Sequence, residues 1–310
     1  MTIDSTLQAR TRPGRPRGLR HRVVGLVVAV LSAAAIWVVW RLAIDTATLR
    51  YVDVLSIDGA QYEREGSGWG AQTWAIAEPV VTIVSRKFML AVLVVACGLA
   101  LYRRRLALAV QLVVLVGGAN LTSQFLKSTL PRPDVALGDS LYNSWPSGHT
   151  TVAASLSAAL VLAVPRRYRP AAVVVGLAYT IVTGIGTILG SWHRPSDVIA
   201  GVLIVLAWTG VVTALDGTLE PGRVVRTAAT TVTLLVGAAI ATGAAAWVAL
   251  DATYALGLIE FPSRAQLIVA FGGGALAVVS VTCLAFACLS GLLALADQDT
   301  GVARSLPARG

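Results

Sequence analysis

Apolar residues run through this chain in long blocks separated by polar segments, several of which carry short clusters of arginine. The first block, Val23 to about Ile44, exceeds the roughly 20 residues an α-helix needs to cross a bilayer core. Further blocks at about 80–101, 106–126, 149–164, 171–192, 197–215, 226–249 and 266–296 predict eight spans in all. Arg86 and Lys87 interrupt the second, so its apolar stretch starts afresh at Phe88.

Composition makes the same case for the whole chain. Of its 310 residues, 56% are hydrophobic and 13% charged, against about 45–50% and about 25% in soluble domains. No polar stretch is long enough to bury a core of its own. The predicted fold class is all-α: a polytopic membrane helical bundle. Small residues such as Gly272-Gly273-Gly274 suit close helix packing in lipid.

The 25 basic and 16 acidic residues leave a net charge of +9, which in a soluble chain would point to nucleic acid. Here the arginines sit in short clusters between apolar blocks, the distribution of the positive-inside rule, and no nucleic-acid partner is implied. Arg10, Arg12, Arg15, Arg17, Arg20 and Arg22 open the chain, and Arg103-Arg104-Arg105, Arg166-Arg167-Tyr168-Arg169 and Arg223/Arg226 fall on the same side. The loop 45–79, with Asp45, Asp53, Asp58, Glu63, Glu65 and Glu78, falls on the other, as do 127–148, 193–196 and 250–265. One orientation satisfies every cluster: a plasma-membrane protein with both termini cytoplasmic. The acidic loop is placed to cap the outer face, though it shows no motif.

Cys97, Cys283 and Cys288 lie inside apolar blocks, which supports neither a disulfide frame nor a metal site, and no cofactor is expected. Trp145 and Trp192 are read as interfacial anchors.

The predicted outer face collects the ionisable groups. His149, His193, Lys127, Arg132 and Asp197 all stand at membrane boundaries there, and such groups at that depth mark functional sites. Asn120, Gln124 and Lys127 recur at helical spacing, so they share one face leading up to the lysine. In Pro146-Ser147-Gly148-His149, serine and glycine precede a helix whose exposed N–H groups form an anion site. In His193-Arg194-Pro195-Ser196-Asp197 the carboxylate follows the histidine by four residues. Asp197 can accept from one imidazole nitrogen and leave the other free as nucleophile or base.

Lys127…Arg132-Pro133, Pro146-Ser147-Gly148-His149 and His193-x-x-x-Asp197, in this order on one face, resemble the type 2 phosphatidic acid phosphatase (lipid phosphate phosphatase) superfamily. The resemblance covers about 127–197 and implies roles residue by residue. His193 would attack phosphorus and form a phosphohistidine, oriented by Asp197. His149 would protonate the leaving oxygen and then activate water. Lys127, Arg132, Ser147 and the Gly148 backbone would hold phosphate oxygens, with no metal. The partner it implies is a membrane lipid bearing a phosphate or diphosphate, isoprenyl lipids included, hydrolysed at the outer face; the oligomeric state is not implied.

The resemblance divides the chain into a basic tail (1–22), a six-span phosphatase-like core (23–215), two additional spans (216–296) and a cytoplasmic tail (297–310). The chain departs from the family pattern at two places. Lys127 and Arg132 stand closer than the family's spacing, with Asp134 at the expected arginine position. Gly186-Thr187 stands where the third motif has Ser-Arg, leaving Arg194 and the Thr187 hydroxyl as candidates for the missing contact. Two other readings stand beside the enzyme: a family member that binds a phosphorylated lipid without turning it over, and a small-molecule transporter. The transporter would call for midplane charges and broken helices, which the blocks lack.

Overall fold

A computed structural model describes residues 19–66, 69–84, 86–102, 104–130, 143–215, 226–256 and 261–304. Among them every regular element is helical. The chain order is α1 (Leu19–Asp45), α2 (Ala47–Glu65), α3 (Trp69–Ile83), α4 (Arg86–Tyr102), α5 (Leu106–Thr129), α6 (Gly148–Ala163), α7 (Arg169–Leu189), α8 (Pro195–Ala214), α9 (Arg226–Tyr254) and α10 (Arg264–Arg304). The protein is an all-α polytopic bundle.

Six described helices are long and apolar enough to cross a bilayer: those at 20–43, 106–129, 166–189, 195–214, 228–254 and 264–298. The other two expected spans are modified. α6 has only 16 residues, about 24 Å at 1.5 Å per residue. The expected span at 80–101 is a pair of helices, α3 and α4, set at 70° to one another. The charges at Arg86 and Lys87 that interrupt the apolar pattern mark the break.

The larger departure is in the acidic stretch 45–79, which sequence reading takes as a loop. Most of it is helix. Along α2, Val52, Leu55, Ser56, Gly59, Ala60 and Glu63 are buried at three- and four-residue intervals, so one stripe faces the bundle. That stripe seats α2 on α10 and on the ends of α7 and α8. Ser56 donates to the Ala270 carbonyl of α10 at 2.9 Å, and Arg64 donates to the Leu189 carbonyl closing α7 at 3.0 Å.

α6, α7 and α8 form the centre, with α5 against α6 and α1 along α8. The small residues of these helices let the backbones approach. A methyl group at Gly25 would stand 2.7 Å from the Gly210 carbonyl oxygen, and one at Gly186 2.9 Å from both Ala77 and Val81 of α3. Outward surfaces stay apolar, as lipid as solvent requires: Val30 is 67% exposed, Val95 70% and Trp247 73%. α10 packs along α9 but also against α2, α7 and α8, with Phe271 fully buried and stacked on Trp69 at 5.4 Å. At the far end of α10, Asp297 pairs with Arg166 at 2.5 Å and Arg169 at 3.1 Å.

Candidate active site

Two helix starts meet at the end of the bundle away from Arg166. α6 begins after Ser147, whose hydroxyl caps it by accepting from the Thr150 N–H at 3.3 Å. α8 begins at Pro195, which has no N–H and so suits the first helical position. The starts are tied backbone to backbone, Ser147 N donating to the Asp197 carbonyl at 2.9 Å. Gly201 lets them close up, since a Cβ there would lie 3.0 Å from the Ser147 carbonyl oxygen.

His193 sits in the turn between α7 and α8. Ser191 takes a left-handed φ of 57° there. The Trp192 and His193 N–H groups both turn back to the Thr187 carbonyl, at 2.9 and 3.2 Å, closing α7 in the manner of a Schellman motif. This aims the His193 ring toward α6. Its centroid lies 6.0 Å from that of His149, and Trp192 tilts against His149 at 5.4 Å.

Asp197 stands behind His193, completely buried. Its Oδ2 is 3.5 Å from His193 Nδ1 and accepts from the Ser144 hydroxyl at 2.6 Å and the Arg194 N–H at 3.1 Å. The carboxylate is therefore held by two other donors. A closure of about half an ångström would bring the imidazole to hydrogen-bond distance, and catalytic contacts commonly tighten only with substrate present.

In front of the histidines lies a cavity of about 870 Å³, lined by Asn120, Gln124, Lys127, Gly148, His149 and His193 at its polar part and by Val84, Met89, Leu121 and Val152 beyond. The face predicted from the spacing of Asn120, Gln124 and Lys127 thus forms one wall. Asn143 fixes the end of that wall, donating to the Lys127 and Leu130 carbonyls at 3.1 and 2.8 Å.

Other candidates lie elsewhere. Ser147 is fully buried as a helix cap, and Gly148 rather than Ser147 lines the cavity. The Thr187 side chain is fully buried and donates to the Gly184 carbonyl at 2.8 Å. Arg194 directs Nη1 to the Ser144 hydroxyl at 3.3 Å, behind the imidazole. Arg132 falls outside the described residues. Trp145, expected as an interfacial anchor, has no exposed surface; it packs with Ala200, Leu126 and Leu130, because the turn before α6 folds inward onto α8.

Sequence reading missed Asp53 of α2. Its Oδ1 accepts from the Ser196 N–H at 3.1 Å, and its Oδ2 takes the Ser196 hydroxyl. The signal was there in the stripe of α2, where Asp53 neighbours Val52 and Ser56 on the buried side; its acidic neighbours masked it.

Lys127, the helix start at Gly148 and two imidazoles line one cavity, an arrangement suited to a phosphoryl group. No protein of curated function and no solved structure matches the chain. The model of the PAP2 superfamily matches residues 108–220, the stretch from α5 through α8 that carries every one of these cavity-facing polar groups. Residues 108–220 are thus similar to the PAP2 superfamily, whose members are phosphatases acting on phosphorylated substrates.

Proposed function

We propose that this protein hydrolyses a lipid phosphate or diphosphate, isoprenyl lipids included, through a phosphohistidine intermediate on His193. The observation that carries the reading is the single cavity with both imidazoles and Lys127 in its polar part and Val84, Met89, Leu121 and Val152 beyond. A phosphate head meets the charge while a chain lies along the apolar wall. Leu121 is 72% exposed to the lipid side, so the wall continues into the bilayer.

In the first step His193 Nε2 attacks phosphorus, the P–O bond to the lipid breaks, and His149 gives its proton to the departing oxygen. Asp197 holds Nδ1–H so that Nε2 keeps its lone pair. In the second step water attacks phosphorus, the P–N bond breaks, and His149 takes the water proton. The products are phosphate and the lipid alcohol from a monophosphate, or phosphate and the lipid monophosphate from a diphosphate, where the bond broken is the P–O bond to the inner phosphate. Lys127 and the N–H groups opening α6 offset charge on the equatorial oxygens, with Arg132 the candidate for a further contact; the mechanism uses no metal.

The site is proposed to face outward, with the Arg166 cluster at the opposite end of α6 and both termini inside. In a cysteine-free background, an impermeant thiol reagent should label Gln61→Cys in intact cells and spare Arg167→Cys. The reverse pattern overturns the orientation.

Phosphate release from a panel of isoprenyl, glycerolipid and soluble phosphates tests the reaction. Release should survive chelator, be blocked by vanadate and fall at least about 10³-fold in His193→Ala, as expected when a nucleophile is removed. Strict dependence on magnesium would count against the mechanism. The lack of a cation at position 187 favours a second reading, a binder of phosphorylated lipid, which retained binding without release would establish.

A further inference from the structure

Three helix-start groups on α8 need acceptors, and the segment cannot serve them all itself. Pro195 has no N–H, and the N–H of Arg194 goes to Asp197 Oδ2. The N–H of Ser196, at the second helical position, is buried with its residue. The preceding residue, Arg194, offers no side-chain acceptor, so the usual cap from the chain's own N-terminal side is missing. The acceptor comes from another helix: Asp53 of α2, 143 residues away in sequence, takes both the N–H and the hydroxyl of Ser196.

We propose that Asp53 is a positioning residue for His193, fixing the first turn of α8 through Ser196 and placing a second negative charge behind Asp197. This rests on the phosphatase reading above. Ser196 and Asp197 are consecutive, so a clamp on one sets where the other's carboxylate meets His193 Nδ1, now 3.5 Å away. A negative charge there also favours the protonated Nδ1 of the phosphorylated ring. Groups that orient a metal-binding histidine from behind commonly change activity by about 10–100-fold when removed, and the low end of that range is the expectation for Asp53.

The charges around Asp53 define when it acts. Arg194 and Asp197 face it from α8, and Arg50 and Asp58 lie on its own helix. Across an adjoining cavity of about 560 Å³, α9 contributes Asp251, while α1 and α10 present only apolar or glycine residues among those described. Burial first, then the charge of Asp197, raises the Asp53 carboxyl to about 6, against the hydrogen bonds from Ser196 and the charge of Arg194. The carboxylate is therefore ionised at neutral pH and protonated a little below it.

Asp53→Asn copies the shape of the protonated carboxyl and removes the charge, so the variant folds while the clamp loses its negative end. In full-length protein, its kcat should be about 10-fold below wild type at pH 7.5, with KM within about twofold. The deficit should close as pH falls below 6, where wild type loses the charge too. A wild-type kcat for Asp53→Asn, or a deficit independent of pH, overturns the proposal. Vanadate, which bonds to a histidine nucleophile as a pentacoordinate phosphorus mimic, gives the comparison without turnover. Its affinity, read by thermal shift, should be about 10-fold weaker in Asp53→Asn at pH 7.5 and equal at pH 5. Wild-type protein that binds vanadate but releases no phosphate defeats the phosphatase reading alone, and equal vanadate affinities at pH 7.5 defeat the positioning role alone. Protein that neither turns over nor binds vanadate defeats both.

Discussion

At the residue scale, position 187, where the resemblance would place an arginine, holds a side chain turned into the protein. Thr187 has no exposed surface, and its hydroxyl is used up on Gly184. An arginine there must force its way between α7 and its neighbours, so Thr187→Arg should lower the detergent melting temperature and yield no gain in phosphate release. Arg194→Ala should do different damage. It removes a donor to Ser144, which in turn holds Asp197, so kcat should drop with little change in substrate affinity. Arg194→Ala raising KM by an order of magnitude would show that the guanidinium reaches phosphate after all. Asp53 also carries a stability signature. Its native pKa of about 6 lies above the ordinary 3.8, so its contribution is fully present below about pH 3.8 and lost as pH rises through 6. At pH 7.5, Asp53→Asn should therefore melt higher than wild type, and the difference should vanish in acid. A more stable but slower enzyme is the expected combination.

At the scale of elements, what was legible in the sequence follows how each residue finds its partner. His149, His193, Asp197, Lys127 and the Asn120–Gln124 face announce themselves because chemistry-bearing side chains interrupt long apolar blocks. Six of the eight apolar blocks were equally plain; the one that Arg86 and Lys87 interrupt breaks into α3 and α4, and the block of α6 is short. α2 was not, because its stripe mixes Asp53, Ser56 and Glu63 with aliphatic residues, and periodic burial of polar groups makes sense only when the partner helix is known. Likewise Trp145 reads as a boundary anchor until α8 is seen to cover it. The glycines were legible as packing residues, but not what they pack against: a methyl group at Gly273 would lie 3.0 Å from Ala249 and Leu250 of α9, whereas one at Gly274 would come within 2.5 Å of Pro195 Cγ. Gly274→Val should therefore push on the first turn of α8 and lower phosphate release. The same change at Gly272, with nothing within 4 Å, should leave it near wild type. Equal effects at the two positions would refute this reading of the contact.

On the scale of the whole molecule, the ends of the bundle divide the work. One end gathers His149, His193 and α2; at the other, Asp297 pairs with Arg166 and Arg169. The two arginine side chains are 15% and 11% exposed and the carboxylate 10%, so removing the anion takes a shared counter-ion from two cations in a mostly closed place. Asp297→Ala should destabilise the protein on the order of 3 kcal/mol, seen as a lower melting temperature with unchanged chemistry in the protein that remains folded. A melting temperature equal to wild type would mean the cluster is solvated and idle.

The seating of α10 on α2 and on the start of α8 bears on how this protein can be divided. The family stretch ends at residue 220, which suggests a module that could be cut out with everything after it discarded. The contacts draw a different border. Ser56 is anchored to the Ala270 carbonyl, and Phe271 fills the space beside Ile188, Leu189 and Val198, the residues flanking the His193 turn. A chain stopped at Leu215 would leave that hollow open, and a Phe-sized void in a core is worth about 3–5 kcal/mol. The homologous segment and the folding unit are thus different objects. Co-expressing 226–310 as a separate polypeptide should rescue a chain ending at 215, the two pieces reassembling in the membrane as fragments of one enzyme.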